Sequence, residues 1–262
     1  MNVTFLGSGN LATHVALALN LAGVTIVQVY SPNHEHAREL ADKVGAEPVS
    51  DLSCLKQADV YISAVKDNAQ EPMWQQLSLN GYIPESSFVF HTSGSIGLDE
   101  VRKYFGRSAV FYPLQSFSKQ RAVDLSDAPF LIDASTKEAE EIAVSLARRI
   151  SSNVSIMDSE KRKVVHLAAV FASNFANNMY SIASDILGRE DIPFSILAPL
   201  IRETAAKIGG MEPVAAQTGP AVRGDRNIMN AHLNRLDSNY AEIYSLVSRN
   251  IERMRDENNN KK

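Results

Sequence analysis

Three small residues near the start of the chain, Gly7, Gly9 and Ala12, have the spacing of a turn that binds a pyrophosphate. An apolar run at residues 3–6 precedes them, and a helical repeat of apolar residues follows at once. The first glycine allows a tight turn, the second lets the backbone approach the phosphates, and the small third residue packs the helix on its strand. Free amides and the helix dipole then face the anion. The residues predicted to bind the pyrophosphate are Gly7, Ser8, Gly9, Asn10, Leu11 and Ala12.

The end of the second predicted strand bears on which dinucleotide binds. NAD-selective turns carry an acidic residue about 20 positions after the glycines, where it holds the ribose 2′-hydroxyl. Here that place is taken by Tyr30, Ser31, Pro32 and Asn33, and none of them is acidic. A hydroxyl, an amide and a helix N-terminus can accept a 2′-phosphate that a carboxylate would repel. The sequence therefore favours NADP over NAD, with Ser31 and Asn33 at the adenosine end.

Polar segments follow three further predicted strands, at residues 64–66, 91–95 and 112–117. In a doubly wound sheet, ligands bind beyond the carboxyl ends of the strands. The alternative is that these segments are ordinary turns whose hydroxyls cap the backbone. From their shared position we expect cofactor contacts from Ala64, Val65, Lys66, His91 and Thr92. We expect substrate contacts from Ser93, Gly94, Gln115 and Ser116.

A long helical pattern over residues 159–187 carries a polar stripe that includes His166, Ser173 and Asn177, with Asn174 beside it. The middle of this helix is otherwise apolar nearly all round, so the polar groups are expected to have partners other than water. Histidine exchanges protons near neutral pH, as a reductase requires of its proton donor. We therefore predict His166 and Asn174 as catalytic residues. The alternative for His166 is a histidine satisfied in the core or in an interface.

A last polar segment, residues 217–225, contains Arg223 and Asp225. Asp225 is placed to cap the helix that follows it. Arg223 can pair with Asp225 or with the carboxylate of a substrate. We retain Arg223 as a substrate-binding residue, with capping as the alternative explanation of the motif.

Alternating strands and helices are predicted to hold these residues in place. Apolar runs rich in strand formers predict eight strands, at residues 3–6, 25–30, 48–49, 60–65, 88–90, 109–111, 130–132 and 154–156. This alternation indicates a parallel, doubly wound Rossmann sheet. Beyond residue 158 the strand signals stop, and helices are predicted at residues 159–187, 193–208, 212–217, 226–236 and 238–255. The expected fold class is α/β, with a Rossmann domain at 1–158 followed by an all-α domain at 159–262.

Composition excludes several other classes of protein. The 262 residues are 45% hydrophobic and 21% charged, with a formal net charge of -4, which argues against nucleic acid as a partner. The single cysteine, Cys54, excludes an internal disulfide and suits a reducing compartment, and no metal site is expected. No run of about 18 apolar residues free of polar breaks is present, so we expect no membrane span. The single free thiol leads us to expect a cytoplasmic location.

Four stretches of the chain resemble a family of Rossmann-like oxidoreductases that carry a C-terminal helical domain of unknown function. They are the glycine turn, residues 91–94, residues 113–117, and His166 through Asn174 together with the segment around Arg223. The wider superfamily is similar to pyrroline-5-carboxylate reductase, 6-phosphogluconate dehydrogenase and the deazaflavin-dependent NADP oxidoreductases. The resemblance implies NADP(H) binding, an active site in a cleft between the domains, and a homodimer formed through the helical domain. Tyr112 stands where many members have histidine, and the lysine–asparagine pair of the hydroxyacid dehydrogenases is missing.

The leading hypothesis is a cytoplasmic NADP-dependent oxidoreductase that acts on a small carbonyl, imine or hydroxyacid. In this hypothesis His166 is the general acid, and Ser93, Gln115 and Asn174 position the substrate. A protein that binds NAD(P) without turnover, as a sensor or assembly factor, is the main alternative. A methyltransferase that binds S-adenosylmethionine is a third, and the missing acidic residue after the second strand counts against it.

Overall fold

The computed structural model describes residues 1–260 and contains eight strands and twelve α-helices in that range. The strands are β1 (Asn2–Leu6), β2 (Thr25–Tyr30), β3 (Glu47–Val49), β4 (Val60–Ser63), β5 (Phe88–His91), β6 (Ser108–Pro113), β7 (Phe130–Ala134) and β8 (Val154–Ile156). The helices are α1 (Asn10–Leu21), α2 (His34–Val44), α3 (Asp67–Leu79), α4 (Leu98–Arg102), α5 (Lys137–Arg148), α6 (Ser159–Ala169), α7 (Ala176–Gly188), α8 (Ala198–Lys207), α9 (Pro213–Ala216), α10 (Pro220–Arg223), α11 (Arg226–Leu233) and α12 (Ser238–Asn259). All eight predicted strands are confirmed.

The strands form one sheet in the order β3-β2-β1-β4-β5-β6-β7-β8. Strands β1 to β6 are parallel to one another, in the order of the Rossmann fold. The expected fold class, a doubly wound α/β unit followed by helices, is therefore confirmed. The parallel arrangement ends at β7, which is antiparallel to β6. No helix lies between these two strands in the described chain, and a parallel return needs a crossover, usually a helix.

Alternation along the strands sends apolar side chains to both faces of the sheet. Val3 and Phe5 pack with helices α1, α2 and α5 on one face, whereas Leu6 packs with α3 and α4 on the other. The same alternation in β6 puts Phe111 in the first cluster and Tyr112 in a small cluster that includes residues of β7 and α6. The position of Tyr112 beside α6 is thus set by the pleat of β6.

The helix predicted over residues 159–187 is interrupted by a π-helical segment, Val170–Phe175, between α6 and α7. A π turn closes its hydrogen bond one residue later than an α turn. A given face of the helix is therefore occupied, beyond the π-helical segment, by residues one position later in the sequence than an uninterrupted α-helix would place there. The predicted stripe from His166 through Ser173 to Asn177 is therefore wrong beyond residue 170. Asn174, rather than Ser173, is the residue that follows His166 two turns along the helix.

The chain divides into two compact units, the first from Met1 to Asn174 and the second from Phe175 onward. The first unit thus continues past residue 158, where the strand signals stop, and includes α6. In the second unit only Ala221, Met229 and Ser248 are buried among the described residues. No helix in the described range is long and apolar enough to cross a membrane, and no group of three possible metal ligands occurs there.

Candidate active site

The turn between β1 and α1 fits an incoming phosphate. Gly7 has φ of 119°, and a Cβ at this position would lie 2.6 Å from the carbonyl oxygen of Ala64. Only glycine fits there, because both the φ angle and the neighbouring backbone exclude a side chain. A Cβ on Gly9 would have no heavy atom within 4 Å, and no side chain caps the start of α1 at this residue. The amide end of α1 is therefore open at the position where the pyrophosphate of a dinucleotide was predicted.

The segment after β6 lies beside the first turn of α1. The side-chain amide of Asn10 donates to the carbonyl of Phe117 at 3.1 Å, and His14 Nε2 lies 2.9 Å from the carbonyl of Ser118. The rings of His14 and Phe117 stack with their centroids 5.4 Å apart. Gln115 and Ser116, predicted to bind substrate, are exposed and line a separate cavity of about 490 Å³ in this segment. The side chain of Asn10 is thus occupied by this segment, which leaves its main-chain amide for a ligand.

The adenosine end of the predicted cofactor site is built from the end of β2. Ser31 is buried, and its main-chain N–H donates to the carbonyl of Val49 at 3.0 Å. Asn33 Oδ1 caps α2 and accepts from the main-chain N–H groups of Glu35 and His36 at 3.0 and 3.3 Å. The side-chain NH₂ of Asn33 donates no hydrogen bond within the described chain and is free to contact a ligand. The carboxylate of Glu35 pairs with Arg38 at 2.6 Å.

His91, at the end of β5, is fully buried, and its ring centroid lies 5.5 Å from that of Trp74. Burial lowers the pKa of His91 to about 3, with a smaller contribution from the positive charge of Arg162. Its Nδ1 accepts from the main-chain N–H of Ser93 at 3.3 Å. His91 is therefore neutral at physiological pH, and no part of the residue is exposed to a ligand in this structure. Thr92 is also buried, and its hydroxyl donates to the carbonyl of Ser63 at 3.2 Å.

The hydroxyl of Ser93 stabilises its own loop. Ser93 Oγ accepts from the main-chain N–H groups of Ser95 and Ile96, each at 3.1 Å, which is the capping arrangement considered as the alternative. Ser95 Oγ in turn donates to the carboxylate of Asp67. Asp67 begins α3 directly after Lys66, which is exposed. Sequence reasoning missed Asp67, although its place after a strand end was a usable signal.

Gly94, Tyr112 and His166 meet at one point of the first unit. The Tyr112 hydroxyl lies 3.0 Å from His166 Nδ1, and the two rings meet edge to face at 5.8 Å. A Cβ on Gly94 would lie 2.5 Å from His166 Nδ1 and 2.7 Å from Tyr112 Cζ. The glycine is therefore required by the close approach of two rings to the backbone. Sequence reasoning brought out Gly94 and His166 but left Tyr112 without a role.

Arg162 fixes α6 in this position. Its guanidinium is fully buried, donates to the carbonyl of Ile96 and to Ser159 Oγ, and lies 3.6 Å from the carboxylate of Asp133. Burial lowers the pKa of Arg162, and the Asp133 carboxylate opposes this shift. Burial also raises the pKa of Tyr112, while the charge of Arg162 acts in the opposite direction. Tyr112 is consequently a neutral phenol at physiological pH.

The two remaining predicted residues are exposed. Asn174 lies in the π-helical segment and is the last residue of the first unit. Arg223 ends α10, in the second unit, and has no acidic partner in the described chain. Asp225 caps α11 by accepting from the main-chain N–H of Ile228 at 3.3 Å. The cap is confirmed, whereas substrate binding by Arg223 stays a prediction.

A Rossmann sheet with an open glycine turn and a histidine beside a neighbouring strand end is the architecture found in dinucleotide-binding proteins. Comparison with known proteins agrees with this class. A family described as "NADP oxidoreductase coenzyme F420-dependent" matches residues 2–87, and a domain of unknown function, DUF2520, matches residues 128–251. A crystal structure of a candidate NADP oxidoreductase from Bacteroides fragilis is 43% identical, covers 96% of this chain and 98% of that chain, and has a TM-score of 0.92. The chain belongs to this family of Rossmann-like NADP oxidoreductases with a C-terminal domain of unknown function.

More distant structures share the fold alone. A Thermotoga maritima protein is 22% identical over 98% of this chain and 99% of that chain, with a TM-score of 0.71. A candidate oxidoreductase from Mycobacterium avium is 14% identical over 94% of this chain and 91% of that chain, with a TM-score of 0.61. No curated protein matches the sequence.

Proposed function

We propose that this protein transfers hydride between NADP(H) and a small carbonyl, imine or hydroxyacid, with His166 as the proton donor. The observation that carries this proposal is the contact of His166 with Tyr112 and Gly94, at the carboxyl ends of two strands in the same sheet as the glycine turn. Strands β1, β4, β5 and β6 are consecutive parallel neighbours, so the glycine turn and the histidine both lie at the carboxyl ends of the strands. Ligands of doubly wound sheets bind along this edge.

The residues divide into those that hold the cofactor and those that move a proton. The main chain of residues 7–12 would hold the pyrophosphate, and the ends of β4 and β5 the nicotinamide side. When bound, NADPH supplies the hydride. His166 Nε2 has no hydrogen-bond partner in the described chain and would give its proton to the oxygen or nitrogen of the reduced group. Asn174 would orient that group.

The preference for NADP rests on the absence of a carboxylate at the end of β2. The groups present there are the Ser31 hydroxyl and the free side-chain NH₂ of Asn33, and neither repels a 2′-phosphate. The carboxylate nearest in sequence, Glu35, is already paired with Arg38. We therefore expect tighter binding of NADPH than of NADH.

A homodimer through the second unit is part of the proposal. Helices α7 and α8 bury none of their residues, and isolated helices of this length are marginally stable in water. Apolar side chains of this unit line a cavity of about 310 Å³ and include Met179, Ile182, Ile243 and Val247. A second copy with the same exposed faces supplies the missing cover by symmetry. We place the protein in the cytoplasm, where its exposed free thiol, Cys54, stays reduced.

The test compares two glycines with open surroundings. Gly9→Val places a side chain where the pyrophosphate is proposed, whereas Gly106→Val, also with no atom within 4 Å of its Cβ, lies before β6 at the other end of the strands. We expect at least tenfold weaker NADPH binding by Gly9→Val, unchanged binding by Gly106→Val, and little change in the unfolding midpoint of either. Equal NADPH affinity in both variants would contradict the cofactor site.

Turnover is then measured with NADPH and NADP against a panel of small carbonyls, imines and hydroxyacids. His166→Gln should lower the rate on any substrate found while leaving the affinity for NADPH within about twofold, because the histidine acts on the reacting group rather than on the cofactor. Tight NADPH binding without turnover of any compound would favour the non-catalytic sensor.

A further inference from the structure

The Tyr112 hydroxyl is a polar group that the proposed reaction does not yet use. It is buried, and in the described chain its hydrogen-bond partner is His166 Nδ1, at 3.0 Å. The two residues are 54 positions apart in the chain and come together because β6 and α6 pack against each other. Because this buried hydroxyl contacts the histidine that is proposed to transfer a proton, it affects which nitrogen of His166 carries that proton.

The two nitrogen atoms of His166 have different surroundings. Nδ1 faces the Tyr112 hydroxyl and the backbone at Gly94, where not even a Cβ would fit. Nε2 has no protein partner in the described chain and is not a buried atom. A reacting group can therefore approach His166 only at Nε2.

A neutral phenol suits both protonation states of an imidazole. Burial raises the pKa of Tyr112, and the nearby carboxylate of Asp67 adds to this shift, so the phenol keeps its proton. Its oxygen has one proton to donate and lone pairs to accept with. It can donate to a bare Nδ1 and accept from Nδ1–H, whereas an ionised carboxylate could only accept.

We propose that Tyr112 is a positioning residue that keeps Nδ1 of His166 hydrogen-bonded in both protonation states and so confines proton transfer to Nε2. The proposal rests on the proposed reaction. In the reductive direction the Nε2–H bond of the His166 imidazolium would break as an O–H bond forms on the carbonyl oxygen, and bound NADPH would supply the hydride of the new C–H bond. Nδ1–H remains bonded to the oxygen of Tyr112. In the oxidative direction the bare Nε2 of neutral His166 would take the proton of the alcohol and give the imidazolium, and bound NADP would accept the hydride.

The nitrogen signals of histidine in NMR test this pairing without a substrate. The chain has six histidines, so a sample labelled with ¹⁵N at histidine gives few signals, and His166→Gln identifies the one of interest. In Tyr112→Phe we expect the ratio of the two neutral tautomers of His166 to change about fivefold, the effect of losing one ordinary hydrogen bond. The Nδ1 signal should also move to the position of a nitrogen without a hydrogen bond.

The second unit supplies a matched control. His232 Nδ1 lies 3.0 Å from the Tyr244 hydroxyl, with the rings edge to face at 5.8 Å, so its geometry is that of the Tyr112 pair. Tyr244→Phe should change the nitrogen signals of His232 and leave those of His166 unaltered. Tyr112→Phe should do the reverse.

A second variant covers the case in which Tyr112→Phe fails to fold. Gly94→Ala adds a Cβ 2.5 Å from the present position of His166 Nδ1 and should separate the two rings, with the same change in the His166 signals. Unchanged His166 signals in folded Tyr112→Phe would overturn the role of Tyr112, even if the wild-type protein binds NADPH. Altered signals in a protein that binds no NADPH would overturn the proposed function and leave the hydrogen bond in place.

Discussion

The two compact units bury apolar side chains to very different extents. In the α/β unit both faces of the sheet are covered by helices, and residues such as Phe5, Trp74 and Phe111 are fully buried. In the described part of the second unit only Ala221, Met229 and Ser248 are buried, and α7 and α8 bury no residue at all.

This difference shows which unit holds its own core. The α/β unit satisfies its apolar surface within one chain, so its stability depends on packing and backbone geometry inside that unit. The helices of the second unit have contiguous apolar faces, which normally pack against another protein surface. Apolar residues that are scattered singly over a surface would not need such packing. Substitutions should therefore act on the first unit through its own contacts and on the second through the proposed homodimer contact.

The largest effect is expected where the backbone of the α/β unit is tightest. Gly7→Ala should lower the free energy of unfolding by about 3 kcal/mol or more, because the residue has φ of 119° and its Cβ would lie 2.6 Å from the Ala64 carbonyl oxygen. Gly23→Ala is the control, since Gly23 also has positive φ, 80°, but open space around its Cβ. It should cost about 1 kcal/mol in urea unfolding. Equal losses of stability in the two variants would show that the close approach of the Ala64 carbonyl is not the reason that position 7 requires glycine.

The next effect is expected at the exposed apolar face of the second unit. Leu200→Arg, in α8, should raise the dissociation constant of the proposed homodimer about thirtyfold, which corresponds to about 2 kcal/mol of lost apolar contact. Leu21→Arg is the control, because Leu21 is 87% exposed against 62% for Leu200 but belongs to the α/β unit. It should leave the mass in sedimentation unchanged. A wild-type protein that is monomeric at micromolar concentration would contradict the homodimer itself.

The sequence predicted much of the fold because its signals are local. Eight runs rich in β-branched and aromatic residues gave eight strands, and the glycine turn followed from a strand, two glycines and a helix in direct succession. The direction of β7 was not predictable from its composition, because pairing direction depends on the connection that precedes it. The π-helical segment was missed because it needs only one extra residue in an otherwise continuous helical pattern.

The pairing of Tyr112 with His166 could not be predicted for a different reason. It depends on how α6 packs on the sheet, and that packing is fixed by Arg162. In the sequence Arg162 lies between Lys161 and Lys163, in a charged run of a kind that is normally solvated, yet its side chain is fully buried. Nothing local distinguishes it from its two neighbours, which are exposed.

The smallest predicted effect is a pH dependence of stability that arises in the α/β unit alone, from His91. His91 is neutral in the folded protein down to a pH of about 3, whereas in the unfolded chain it takes up a proton below a pH of about 6.5. Between these values the unfolded state binds one proton more, so stability is complete above a pH of about 6.5 and falls as the pH decreases. The contribution of His91 is up to about 1.4 kcal/mol per pH unit, and urea unfolding of the α/β unit at about pH 7 and about pH 5 measures it.

His91→Asn is the variant that isolates this contribution. Asparagine can still accept from the main-chain N–H of Ser93, but it lacks a group that titrates and loses the contact with Trp74. The variant should be less stable than wild type at about pH 7 and should lose stability less steeply on acidification, by up to about 1.4 kcal/mol per pH unit. Because the carboxylates are the same in both proteins, their titration cancels from the difference. If wild type and His91→Asn lose stability equally on acidification, protonation of His91 does not contribute to the acid destabilisation of the α/β unit.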